Sequence, residues 1–84
     1  MTNKENLKKQ IIYRSLHRGT KEMDILLGNF VKKYINNINY DELLDLEKLM
    51  HIDDEIIHKW YFNNKTNQEI DNLKISRQFK SFKL

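Results

Sequence analysis

The chain has 84 residues, a formal net charge of +3, 39% hydrophobic and 32% charged residues, and no Cys. That length suits one domain with a thin core, burying roughly two-thirds of the surface of its unfolded chain, and leaves little room for a deep substrate cavity. The lack of Cys excludes a disulfide scaffold, thiolate zinc sites and a Cys nucleophile, and it fits a reducing compartment.

The opening MTNKENLKKQ lacks the apolar core of a secretory signal, and no apolar run approaches a membrane span. The expectation is a cytoplasmic protein with no membrane insertion. Charge is unevenly spread. Residues 1–21 carry six Lys/Arg against one Glu, residues 22–62 four Lys against nine acids, and residues 63–84 five Lys/Arg against two acids. Such polarity orients a partner electrostatically, though the basic excess is small for a nucleic-acid binder.

Apolar spacing is helical throughout, and the chain contains two Gly and no Pro. Thr2-Asn3-Lys4-Glu5 has the form of a capping box opening the first helix, with Leu7, Ile11 and Ser15 on one face and Ile12 and Leu16 beside them. Gly19 is expected to end that helix in a left-handed conformation. Thr20 then caps a second helix whose Met23, Leu26, Leu27, Phe30, Val31 and Tyr34 form an apolar stripe, broken at Asn36-Asn37.

Asn39 or Asp41 opens a third helix with Leu43, Leu44, Leu46 and Met50 inward. Asp53-Asp54-Glu55 reads as the negative cap of a short fourth helix carrying Ile56, Ile57, Trp60 and Tyr61. Thr66-Asn67-Gln68-Glu69 reads as a second capping box, opening a fifth helix through Ile70 and Leu73. The sequence therefore predicts an all-α fold, a small bundle of four to five short helices over residues 1–75, followed by a basic, frayed tail at 76–84.

The most unusual segment is Tyr13-Arg14-Ser15-Leu16-His17-Arg18-Gly19-Thr20-Lys21-Glu22-Met23-Asp24. Gly19 bends the chain between two helices, Arg18 and Glu22 flank the bend, and Arg14 lies one turn before Arg18. An exposed Arg–Glu pair at this spacing is ordinarily a weak surface staple. The corner of Arg14, His17, Arg18, Gly19, Glu22 and Asp24 holds guanidinium donors beside carboxylates on rigid elements, and the resemblance that follows is what makes it a partner-binding site with guanidinium and carboxylate displayed outward.

The stretch IIYRSLHRGTKEMDILLGNF resembles the signature of the succinate dehydrogenase assembly factors that promote covalent flavinylation, in which R-G-x-x-E is followed by Asp two residues later and a Leu-rich helix. Arg18, Gly19, Glu22 and Asp24 match it, as do Tyr13 and Ser15. Downstream, YDELLDLEKLM and DDEIIHKW match with Asp53 and Trp60, so the resemblance covers roughly residues 9–62. Leu16, His17, Thr20 and Ile56 depart from the pattern.

The resemblance implies a dedicated chaperone, not itself an enzyme, with no cofactor or metal of its own. It would act as a monomer on the flavoprotein subunit of succinate dehydrogenase, or of its fumarate reductase relative, favouring attachment of the client's FAD to a client histidine. Arg18 would be the hydrogen-bonding anchor, Gly19 the residue allowing close approach, and Glu22 the orienting carboxylate.

Other signals are weaker. His51 and His58 match no compact zinc motif, Trp60 reads as core, and no nucleophile–base pair supports a small hydrolase. Phe79 and Phe82, set in a basic tail, could touch a membrane or nucleic acid. The alternative function is therefore a small nucleic-acid-binding helical protein. Against it, the second helix is apolar and begins with acids, unlike a recognition helix.

Overall fold

A computed structural model describes residues 3–84. Six helices are present among them and no strand: α1 (Asn3–Leu16), α2 (Lys21–Tyr34), α3 (Tyr40–Met50), α4 (Asp54–Phe62), α5 (Gln68–Asp71) and α6 (Ser76–Ser81). The expected all-α bundle is correct, with one helix more than foreseen. The capping box assigned to α1 rests on Thr2, which lies outside the described residues.

Local signals place most boundaries. The Thr20 hydroxyl accepts from the Met23 N–H and starts α2. Asn39, rather than Asp41, caps α3, in a reciprocal box with Glu42. The fifth helix is capped one residue later than expected, by Asn67 accepting from the Ile70 N–H, and lasts four residues, so Leu73 lies beyond it. Gly19 is not left-handed. Asn64 takes that conformation instead, at φ 56°, and turns the chain after α4; its short polar side chain makes the conformation tolerable.

α1 packs across α2 and α3. It contributes Leu7 and Ile11 to a core built from Leu26, Leu27 and Phe30 of α2, Leu43, Leu46 and Leu49 of α3, and Ile57 and Trp60 of α4. Ile12 and Leu16 stay exposed, as does Ile56 of α4. Among the described residues, no helix is long and apolar enough to cross a membrane.

The frayed tail is a correction. Residues 76–81 form α6, with Phe79 fully buried and Phe82 nearly so. The Phe79 ring lies 4.8 Å from Phe30 and stacks on Trp60 at 5.5 Å. Lys80 donates to the Trp60 carbonyl at 2.8 Å and sits 4.5 Å over its ring, while the Tyr61 hydroxyl donates to the Phe82 carbonyl. Burial holds the Tyr61 phenol above its usual 10, so that contact contributes fully below pH 10 and is lost as the pH climbs through the raised value.

What looked like a basic, aromatic tail is thus the lid of a core too small to close without it. Its phenylalanines are not available to stack on bases or enter a bilayer. The radius of gyration, 11.9 Å, is that of a compact chain of this length, about 12 Å. Replacing Phe79 by Ala should therefore destabilise the whole domain by about 3–5 kcal/mol, read as a lower urea midpoint; a detached tail would leave that midpoint unchanged.

Candidate functional site

α1 stops at Leu16 and α2 starts at Lys21, and the four residues between them form the corner. Its geometry is set by one side chain. The Arg18 guanidinium is turned inward, its side chain 8% exposed. Nε donates to Asp54 Oδ1 at 2.7 Å, Nη1 to the Met50 carbonyl at 2.6 Å and Nη2 to the Ile52 carbonyl at 2.8 Å. Nη2 also lies 2.7 Å from Asp54 Oδ1.

Met50 is the last residue of α3 and Asp54 the first of α4. A cation therefore meets the carbonyls left without partners at the end of one helix, while its counter-ion occupies the positive end of the next. Arg18 pins the α1–α2 corner onto the α3–α4 corner.

Gly19 completes the joint. Its N–H donates to Asp54 Oδ2 at 2.6 Å, so both oxygens of that carboxylate are engaged from the corner. A Cβ on Gly19 would sit 3.1 Å from the same Oδ2, closer than carbon and an anchored oxygen ordinarily rest. Glycine is needed here for proximity to Asp54, not for a left-handed turn. Asp24, in the first turn of α2, accepts from the Arg18 backbone N–H at 2.5 Å.

The six expected site residues are brought together, but not as expected. The outward display of Arg18 is overturned: a buried guanidinium must find acceptors for its donors, and the interior supplies three carbonyl and carboxylate groups. Asp24 is likewise spent inside the corner. Glu22 stays exposed, its side chain 59% accessible and paired with His58 Nε2 of α4 at 2.6 Å.

Arg14 is exposed, and with His17, Arg18, Gly19 and the 50–54 turn it lines a shallow concavity of about 300 Å³. That volume sits at the lower edge of small-molecule pockets, a dent for a side chain and not a seat for a dinucleotide. His17 Nδ1 donates to the Tyr13 carbonyl at 2.7 Å, and its ring stacks on Tyr13 at 4.0 Å. Among the described residues, no group of three acids or histidines is placed to hold a metal ion.

Two participants went unread in the sequence. In the sequence Asp54 reads as part of a helix cap and His58 only as a histidine that matches no metal motif. Asp53 is the N-cap by position, yet its side chain makes no capping bond, and Asp54 reaches across to the corner. The one available signal was the surplus of acids at the start of α4: one cap needs one acid, and a run of three leaves a carboxylate free for a distant cation.

An apolar strip adjoins the corner. Tyr13 and Leu16 of α1 and Ile25 of α2 are exposed, and Leu16 lies against Gly28, where a Cβ would come within 3.0 Å of its Cδ2.

Removing either half of the buried pair strands the other. Arg18→Ala and Asp54→Ala should each cost about 3–5 kcal/mol, a large share of the stability of a domain this small, and the double variant should cost far less than their sum. Gly19→Ala should cost about 1–3 kcal/mol by crowding alone. Urea titrations of the four variants check this; additive losses would mean the pair is not coupled.

Comparison with known proteins agrees with the motif. Residues 9–83 match the profile of the family described as flavinator of succinate dehydrogenase. The chain is 34% identical over 55 residues to the FAD assembly factor of Acetobacter pasteurianus, covering 66% of this chain and 50% of that one. It is 36% identical over 77 residues to the mitochondrial succinate dehydrogenase assembly factor 2 of Saccharomyces cerevisiae, covering 87% and 48%. It is 37% identical over 71 residues to the mitochondrial assembly factor 2-B of Drosophila willistoni, covering 81% and 46%. The chain spans about half the length of these relatives. With residues 9–83 inside the family profile and the Arg18–Gly19 corner within them, the chain belongs to the flavinator of succinate dehydrogenase family.

Proposed function

We propose that this chain is an assembly factor that binds the flavoprotein subunit of succinate dehydrogenase and promotes covalent attachment of FAD to it. Family membership supports the class of activity, as do the names of the relatives. The observation that carries the docking surface is the division of labour at the corner. Arg18 is nearly buried and Asp54 partly so, each engaged by the other, while Arg14 and Glu22 stand exposed on the frame they fix.

A preset corner lowers the ordering cost of association. The adjoining apolar strip of Tyr13, Leu16 and Ile25 offers the area a protein partner needs, and the dent beside Arg14 accepts a side chain of that partner. Client FAD and client histidine carry the covalent step. The factor binds one client conformation better than the others and so raises its population. The fumarate reductase flavoprotein is the second client to test. No cofactor of the factor's own enters this scheme, and it works as a monomer.

Glu22→Ala and Arg14→Ala remove exposed groups, so both should fold as the wild type does. In cells lacking their own assembly factor, the wild-type chain should restore covalent flavin on the denatured flavoprotein, read by its fluorescence in a gel. Losing a charged hydrogen-bond partner costs about 1.5–3 kcal/mol, so Glu22→Ala should bind the flavoprotein roughly ten- to a hundredfold more weakly and restore little flavin. Full covalent flavin with both folded variants would overturn the docking surface, and no restoration by the wild type would overturn the function.

A further inference from the structure

Asp54 and His58 are four residues apart on α4 and so share one face of that helix. That face looks onto the corner and touches it twice. Asp54 meets Arg18 and Gly19, and one turn later His58 Nε2 meets Glu22 Oε1 at 2.6 Å. The two contacts form consecutive rungs, the first from α4 to the α1–α2 corner and the second from α4 to the first turn of α2. The first rung is partly buried, with side chains 8% and 20% exposed. The second lies at the surface, with side chains 40% and 59% exposed.

The chemistry of the second rung is one-directional. A carboxylate only accepts, so His58 must present a hydrogen on Nε2, either as imidazolium or as the Nε2–H tautomer. The ring is itself steadied by Phe62, one turn further along α4, at 4.7 Å between centroids. Exposure decides what the contact does. A pair this open contributes little to stability, so it is not there to hold α4 in place. Nor does it hide Glu22, whose side chain keeps more than half its surface free. What remains is restriction: Glu22 is held in one of its many rotamers before any partner arrives.

We propose that His58 is a positioning residue for Glu22, fixing the motif carboxylate in the orientation that a cationic or N–H donor group of the partner flavoprotein engages. This rests on the assembly-factor reading. Ordering a rotamer-rich side chain ahead of docking is worth about two- to tenfold in affinity.

The test uses the full chain and the purified flavoprotein subunit in a calorimetric titration. His58→Phe, which keeps a ring against Phe62 but loses the donor, should bind about two- to tenfold more weakly. His58→Gln, which keeps an N–H donor, should recover most of that loss. In a Glu22→Ala background, His58→Phe should have no further effect. Wild-type affinity in His58→Phe, or an equal loss in the Glu22→Ala background, would overturn the proposal.

A second readout needs no client. In the free chain the His58 Nε2 nitrogen resonance should move on Glu22→Ala, and an unmoved resonance would overturn the contact itself. A wild-type chain that fails to bind the flavoprotein would overturn the assembly-factor reading and the docking role of His58 with it. The resonance would still separate a formed contact from an absent one.

Discussion

The ion pair between Arg18 and Asp54 is the constraint on which the rest of the corner depends. A guanidinium 8% exposed loses nearly all its hydration, and it is tolerated only because Nε, Nη1 and Nη2 each find an acceptor between 2.6 and 2.8 Å. A pair of this kind adds little or no net stability over apolar packing, but it accepts few alternatives. Its geometry must be met by α1, the α3–α4 turn and the start of α4 together. In a domain with so thin a core, that single joint sets where four helix ends sit relative to one another.

The R-G-x-x-E pattern consequently splits into two halves with different duties. Arg18 turns inward for its donors, and Gly19, at the surface, leaves the space beside Asp54. Glu22 faces outward. Under the proposed docking, changes at Arg18 or Gly19 act through the frame and a change at Glu22 through contact with the partner. Loss of activity alone cannot tell these apart, and a stability measurement beside each variant can.

Much of this fold is legible in the sequence because it is local. Thr20, Asn39 and Asn67 cap helices by bonds to residues three positions on, and such spacings are written in the chain. The stripe of α2 and the place of Trp60 in the core follow from helical period and size in the same way. The tail reads as frayed because its three Lys/Arg equal its three apolar residues, which leaves no clear apolar stripe. Yet Phe79 and Phe82 need only one open side of a small core to bury themselves, and Lys80 finds the Trp60 carbonyl and ring.

At the corner, the motif residues and the outward Glu22 were legible, and the inward direction of Arg18 was not. Arg18 and Asp54 are 36 residues apart, and no periodicity links positions that meet only when four helices have packed. Gly19 was read as a left-handed stop because that is the common use of glycine after a helix. Its real constraint is a carboxylate from another part of the chain.

Hydrogen exchange at the Arg18 Nε–H, followed by nitrogen-edited NMR in the free protein, tests the buried joint most directly. Exchange should be slower than at Arg14 by about a hundredfold, as an opening cost of about 3 kcal/mol requires, and should become fast on Asp54→Asn. Equal exchange at Arg18 and Arg14 would mean that the guanidinium lies in solvent and that nothing pins the corner.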